Sequence, residues 1–210
     1  MPRTGERGGP QTRARIAEVA ARLFAERGFD AVTVAEVARE AGVSSVTVFK
    51  HFPRKEDLYL DRADDAVELL RTAVRERASG TDVLTSLHEV SLGLLAARHV
   101  LAGLDERSAP FFRTVASSPA LIARAREIAA DLQDTLVEEL ERDEGFAGNA
   151  TLFAALVVAG YSTVLVGNAR RRLAGESVEA VGADHRARLD EVFGALRSGL
   201  GGGGGDHRVS

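Results

Sequence analysis

Hydroxyl and cationic side chains lie close together in one short stretch near the N-terminus. They are Ser44, Ser45, Thr47, Lys50 and His51. If this stretch is a helix from Ser45 to about Phe52, its buried side takes the apolar residues Val46, Val48, Phe49 and Phe52, and the polar residues fall largely on the face that remains. Short hydroxyls and cationic donors suit base edges and phosphates. The stretch therefore predicts a DNA-reading helix.

A second short helix is predicted immediately before this one. Thr33 followed by Glu36 is the pattern of a capping box, and apolar residues then recur at helical spacing to Ala41. Gly42 supplies the positive φ that ends this helix. Ser44 is suited to cap the following helix, which Pro53 ends. Two short helices joined by a glycine-containing turn make a helix-turn-helix.

Lys55 follows the helix-turn-helix and is one of only two lysines in the chain. It is expected to open a long helix, at the positive end of the helix dipole, where a cation is normally unfavourable. An anion docked there would remove that cost, and a DNA phosphate is the candidate.

The run from Thr33 to Leu58 resembles the DNA-binding domain of TetR-family transcriptional regulators. It reads TVAEVAREAGVSSVTVFKHFPRKEDL, and its helix lengths, turn and position near the N-terminus agree with the family. The family usually has Tyr where this chain has Phe49. A hydroxyl that could bond a phosphate is therefore missing, although the Phe49 ring can still contact a thymine methyl.

The resemblance implies a dimeric repressor whose recognition helices enter successive major grooves of a palindromic operator, about 34 Å apart. A small-molecule effector in the C-terminal bundle would release it from DNA. We expect Thr47 and Lys50 to contact bases. The full set of expected DNA contacts is Thr33, Ser44, Ser45, Thr47, Phe49, Lys50, His51 and Lys55, of which phosphate contacts are assigned to Thr33, Ser44, His51 and Lys55.

Composition agrees with a soluble protein that binds DNA at one end. Residues 1–60 hold ten Lys/Arg and eight Asp/Glu (net +2), whereas residues 61–210 hold seventeen and twenty-three (net −6). The absence of cysteine excludes disulfides and thiolate metal sites. No long apolar segment opens the chain, so we expect a cytoplasmic protein. No catalytic, metal or cofactor motif is present, and we expect neither enzyme activity nor a cofactor.

The predicted fold is all-α, with a three-helix DNA-binding domain followed by a helical ligand-binding and dimerisation bundle. The domain boundaries are a flexible basic arm at 1–11, the helix-turn-helix domain at 12–58, the regulatory domain at 59–200 and a disordered Gly-rich tail at 201–210. Helices are predicted at about 12–27, 34–41, 45–52, 55–78, 82–101, 105–117 (with a bend or break at Pro110), 119–143, 151–169 and 183–200, with a linker at 175–182.

The segment 151–169 contains no charged residue. Its length just reaches that of a membrane span, but Gly160 and several polar residues make it a poor one. An apolar helix is otherwise buried, and we expect a core or dimer-interface helix rather than a membrane contact. By the resemblance, the last two helices pair with those of a second copy as a four-helix bundle.

An effector pocket is predicted between the C-terminal helices, because ligand sites in bundles are mostly apolar with a few polar groups. The candidate pocket residues are His88, His99, Phe111, Phe112, Arg113, Tyr161 and Asn168. Two alternatives remain open at this point. The first alternative to the ligand-released repressor is a helix-turn-helix regulator controlled by a protein partner, with no small ligand. The second is a small-molecule-binding or enzymatic helical domain in which the helix-turn-helix is vestigial.

Overall fold

All regular secondary structure is helical in the part of the chain that the computed structural model describes, residues 9–105 and 108–200. This confirms the all-α prediction. The α-helices are α1 (Gly9–Arg27), α2 (Val34–Glu40), α3 (Ser45–His51), α4 (Ala63–Arg75), α5 (Val83–Ala96), α6 (Ser108–Ser117), α7 (Pro119–Arg142), α8 (Ala150–Leu173) and α9 (Val178–Leu200). Two 3-10 turns lie at Glu56–Leu58 and Val100–Ala102.

The described residues form two packed units. The first contains residues 9–63 together with Thr114–Ala125, and the second contains Asp64–Arg113 together with residues 126–200. These two units are defined by how the residues pack and not by function. The functional boundaries at 12–58 and 59–200 stay predictions, and the predicted tail at 201–210 lies outside the described residues.

The first unit packs α1, α2 and α3 around one apolar core. α1 contributes Ile16, Ala20, Leu23 and Phe24, which recur at helical spacing along one face of the helix. The start of α7 also enters this core, because Leu121 is fully buried in it. Two polar contacts fix the same segment: Ser118 Oγ donates to Asp30 Oδ1 at 3.1 Å, and Arg124 Nε donates to Asp57 Oδ1 at 2.8 Å.

The second unit has its own core, formed mainly by α5, α7, α8 and α9. Its buried apolar residues are Ala73, Val74, Val83, Leu84, Leu87, Leu136, Leu140, Phe153, Ala154, Val157, Val164, Leu189 and Phe193. Asp82 and Asn149 cap the N-termini of α5 and α8, because their side chains accept from the amides of Thr85 and Leu152.

The predicted continuous helix from Lys55 to residue 78 is wrong. The chain makes one 3-10 turn, leaves helical geometry, and enters α4 only at Ala63. Leu58 is buried in the first core, and the next two residues, Tyr59 and Leu60, pack against it. Three consecutive residues of an α-helix spread over more than half of its circumference, so a straight helix cannot place all three against one core.

The predicted helix through Leu101 ends early, at Ala96. Arg98 takes a left-handed conformation (φ 49°), and the amides of Arg98 and His99 bond back to the carbonyls of Leu95 and Leu94. This is a Schellman ending with arginine where glycine is usual. His88 and His99 therefore do not share one helix.

Three smaller boundaries also differ from prediction. α1 begins at Gly9, so residues 9–11 are helical and not part of an arm, while residues 1–8 lie outside the described residues. α9 begins at Val178 within the predicted linker, because Ser177 Oγ accepts from the Ala180 amide and caps it. The bend expected at Pro110 is absent since this proline lies in the first turn of α6, where its missing N–H costs nothing.

Candidate nucleic-acid interface

The N-terminus of α2 is closed by Thr33 and Glu36. Thr33 Oγ1 accepts from the Glu36 amide at 3.2 Å, and Glu36 Oε2 accepts from the Thr33 amide and hydroxyl at 2.8 Å each. The predicted capping box is confirmed. The Thr33 amide and then the Arg27 side chain lower the pKa of Glu36 to about 2. Because Thr33 directs its hydroxyl proton at Glu36, its predicted phosphate contact would have to compete with this bond.

The turn between α2 and α3 depends on Gly42. Its φ is +64°, and the amides of Gly42 and Val43 bond to the carbonyls of Arg39 and Ala38 at 3.1 and 2.9 Å. This Schellman arrangement satisfies the last carbonyls of α2 and requires the left-handed conformation that glycine takes without strain. The predicted helix-turn-helix geometry is thereby confirmed locally.

Ser44 caps α3 and also holds Thr47. Ser44 Oγ accepts from the Thr47 amide at 3.1 Å and lies 2.9 Å from Thr47 Oγ1. Where Ser44 is the donor in the hydroxyl pair, Thr47 keeps its own proton for an outside acceptor. The cap therefore orients one of the two residues expected to read bases.

The buried side of α3 is narrower than the sequence suggests. Val48 and Phe52 are buried in the first core, and the guanidinium of Arg13 covers the Phe52 ring at 4.5 Å. Val46, which was expected in the core, is 79% exposed, and Phe49 is 47% exposed. The expectation that Val46 and Phe49 are buried is wrong, because the short α3 contacts its unit along one side only.

The outward face of α3 combines apolar and polar groups. Val46, Phe49 and Lys50 are exposed, and Ser45, Thr47 and His51 are half-buried. Sequence reasoning missed Val46 as a surface residue of this helix. Its spacing of three and four residues from Phe49 and Lys50 was the signal that could have found it.

The local structure around Lys55 differs from the long helix predicted to begin there. The element that follows it is a single 3-10 turn, so the argument from the dipole of a long helix is wrong. The ammonium instead lies 4.3 Å from the centroid of the Phe29 ring, a cation–π contact that orients the side chain. Partial burial lowers the pKa of Lys55. Its phosphate contact stays a prediction.

Three of the predicted pocket residues meet around the 3-10 turn Val100–Ala102. His99 Nδ1 accepts from the Leu101 amide at 3.3 Å, and the Tyr161 hydroxyl donates to the Leu101 carbonyl at 3.4 Å. A Cβ added at Gly103 would lie 2.9 Å from the Phe112 ring. Burial raises the pKa of Tyr161 to about 12. We call this group, His99, Phe112 and Tyr161, the 3-10 cluster.

Of the other four predicted pocket residues, Phe111 borders the 3-10 cluster and the rest lie elsewhere in the second unit or on its surface. Phe111 contacts the Phe112 ring edge-on at 5.6 Å, and Arg113 is exposed. Asn168 is fully buried: its amide nitrogen lies 2.6 Å from His185 Nδ1, and its oxygen accepts from Arg188 at 3.2 Å. The structure does not gather all seven residues in one place.

His88 packs against α9. Its ring stacks on that of Phe193 with centroids 4.6 Å apart. Nε2 lies 2.9 Å from Asp190 Oδ1, at an angle outside hydrogen-bond geometry. The ring therefore acts as a packing surface between helices in this structure.

Comparison with known proteins points to one family. Residues 16–61, which contain the core and outward face just described, match the family model of bacterial regulatory proteins of the tetR family. The chain is 29% identical over 91 residues to the fatty acid metabolism regulator protein of Bacillus subtilis (strain 168), covering 41% of this chain and 47% of that protein. It is 25% identical over 207 residues to the HTH-type transcriptional regulator YerO of the same organism, covering 90% and 68%.

Solved structures show the same fold. A TetR-family regulator from Streptomyces coelicolor A3 aligns with a TM-score of 0.56 at 21% identity, covering 92% of this chain and 99% of that one. NalD of Pseudomonas aeruginosa, the secondary repressor of the MexAB-OprM multidrug efflux pump, aligns with a TM-score of 0.55 at 18% identity, covering 93% and 98%. By contrast, the matched part spans about half the length of the Bacillus fatty acid regulator.

Proposed function

Because the chain belongs to the TetR family of transcriptional regulators, we propose that it is a repressor that binds a palindromic operator as a dimer and leaves it when a small molecule binds. The observation that carries the DNA-binding part is the outward face of α3, where Lys50 and Phe49 are exposed. Ser44 caps the start of α3, and a capping box closes the start of the preceding helix, α2. NalD, which shares the fold, is a repressor, and this supports the same role here.

The mode of reading follows from the chemistry of that face. Lys50 is exposed, and Thr47 is held by its bond to Ser44, so both are suited to contact base edges. Ser44, Ser45 and His51 lie on the same short helix or at its cap and suit phosphates or base edges. One copy presents one such helix, and two copies are needed to occupy successive major grooves.

The surface of α8 supports the proposed dimer. Four large apolar residues on this helix are exposed: Leu152, Leu156, Val166 and Leu173. Leu152, Leu156 and Val166, together with the exposed Ala159 and Thr163, follow an alternating spacing of four and three residues, and Leu173 lies seven residues after Val166. This spacing is the seam of helices that pack side by side. We propose that this stripe, the α8 seam, packs against a second copy of the chain, with α9 beside it.

The packing of α8 is less consistent with a membrane span than with a helix at a dimer interface. This helix alone, within the described residues, is long and apolar enough to cross a bilayer. Its opposite side, however, contributes Phe153, Ala154, Val157 and Val164 to the second core, and the fully buried Asn168 bonds to residues of α9. Because one side is already covered by protein, only the α8 seam needs a partner.

The 3-10 cluster is the proposed place for effector binding. It combines a tyrosine hydroxyl, a histidine and a phenylalanine ring beside the turn, which is the mixture of apolar and polar groups that small-molecule sites use. An effector that bonds to Tyr161 or His99 would compete with their bonds to the turn. Its binding would then favour a different arrangement of this segment.

The experiment that tests the function is footprinting on DNA upstream of the protein's own coding region, at two salt concentrations. We expect a protected palindrome whose affinity falls steeply with salt, because phosphate contacts release counterions. If that region is not protected, selection from a random duplex library under the same conditions supplies the operator. Failure of both to yield a preferred sequence would refute the proposal.

A further inference from the structure

We propose that Val46 and Phe49 together form an apolar contact that reads the methyl group of thymine at defined positions of each operator half-site. The inference rests on the proposed DNA-binding function and adds to it a residue, Val46, and a base identity. The two side chains are called the apolar pair.

The exposure of the apolar pair is what carries the inference. Val48 of α3 and the C-cap residue Phe52 are buried at 0% and 1% exposure, whereas Val46 and Phe49 of α3 are exposed at 79% and 47%. The exposed residues are three positions apart and therefore neighbours on one face of the helix. The seven-residue α3 thus leaves two of its three large apolar side chains in water.

The side chains around the apolar pair indicate that its partner is DNA. Lys50 is exposed and four residues from Val46, so it shares the face and brings a positive charge. Thr47 lies beyond Lys50 on the same side of the helix and adds a hydroxyl, held by Ser44 at 2.9 Å. A cation and a hydroxyl beside an apolar patch match phosphates and base edges, whereas the centre of a protein-docking surface is poor in charge.

Thymine is the base that fits such a pair. In the major groove the edges of the bases are polar, and the C5-methyl of thymine is the apolar group they present. The removal of one methyl contact from water corresponds to about a fourfold change in affinity. Two adjacent exposed side chains, Val46 and Phe49, therefore suit one or two thymines in each half-site.

The test replaces single thymines by deoxyuridine in the selected operator duplex. This change removes the methyl and keeps every hydrogen-bonding group. We expect the wild-type protein to lose about fourfold in affinity at one or two positions of each half-site. Val46→Ala should bind the thymine duplex more weakly, and the deoxyuridine penalty at one of those positions should fall to less than twofold.

Two controls separate this effect from others. Val46 is largely exposed, so Val46→Ala should keep the wild-type circular dichroism and unfolding midpoint. Val100→Ala removes a comparably branched exposed side chain in the second unit and should retain the full deoxyuridine penalty.

The outcomes distinguish the two proposals. Tight, sequence-specific binding with no methyl dependence, or an operator without thymine facing α3, overturns the apolar-pair inference and leaves the DNA-binding function standing. An equal deoxyuridine penalty for the wild-type protein and Val46→Ala also overturns it. Loss of all specific DNA binding by the wild-type chain overturns the proposed function, and the inference with it.

Discussion

Replacing Gly160 by alanine tests the close approach of α8 and α9 in the second unit. A Cβ at this position would lie 2.6 Å from Cγ1 of Val192 and 3.8 Å from Cδ1 of Leu196. Carbon atoms pack best at about 3.5–4.0 Å, so the first contact is a severe overlap. Val192 cannot easily turn away, because a β-branched side chain has one strongly preferred rotamer in a helix.

Two opposing effects set the magnitude. Alanine is favoured over glycine in a helix interior by about 0.8–1 kcal/mol. Overpacking a core position costs about 1–3 kcal/mol. The difference predicts that Gly160→Ala lowers the free energy of unfolding by roughly 1 kcal/mol. Gly93→Ala on α5 is the matched control: its Cβ would meet nothing within 4 Å, so this variant should gain about 0.5–1 kcal/mol.

The assay is urea unfolding followed by helical circular dichroism, with midpoints compared at equal slope. The two glycine variants should move the midpoint in opposite directions. Adding Val192→Ala to Gly160→Ala removes the overlapping methyl and should cost less than Val192→Ala costs alone. If Gly160→Ala stabilises the protein as much as Gly93→Ala does, the close packing of the two helices is refuted.

Lys50→Ala should weaken operator binding. If Lys50 also neutralises a phosphate, the slope of log affinity against log salt concentration should fall by about one unit, whereas an unchanged slope would mean that Lys50 contacts bases only. Burial lowers the pKa of His185, so the unfolded chain is protonated first and stability should fall as the pH drops below about 6.5. Urea midpoints at pH 7 and pH 5 measure this loss, and His185→Gln should reduce it; an equal loss in the variant would assign the trend to other groups. Leu156→Asp in the α8 seam should convert the proposed dimer to monomers in analytical ultracentrifugation without loss of helicity, and an intact dimer would move the interface elsewhere.

The N-terminal elements were predictable because their signals are local. The capping box of Thr33 and Glu36, the left-handed Gly42 and the cap at Ser44 each depend on residues within four positions of one another. Such interactions form wherever the pattern occurs, so the pattern is sufficient to predict α2, the turn and α3. The caps of α5 and α8 were predictable for the same reason.

Other boundaries depended on contacts that no local pattern records. The break after Leu58 exists because three consecutive side chains face one core, and α5 ends at a left-handed Arg98 where no glycine marks the end. The positions of the predicted pocket residues are likewise set by packing, since His99 and Tyr161 both bond to Leu101 of the 3-10 turn, whereas His88 and Asn168 contact α9.

The sequence by itself determined that the chain is all-α, that a helix-turn-helix lies near its N-terminus, and which polar residues α3 carries. Only the tertiary structure decided that Val46 faces outward, that Leu121 of α7 belongs to the first core, and which side of α8 stays uncovered. Periodicity specifies that a helix has an apolar side. It does not specify how much of that side a neighbour covers, because coverage depends on which distant elements pack there and where they end.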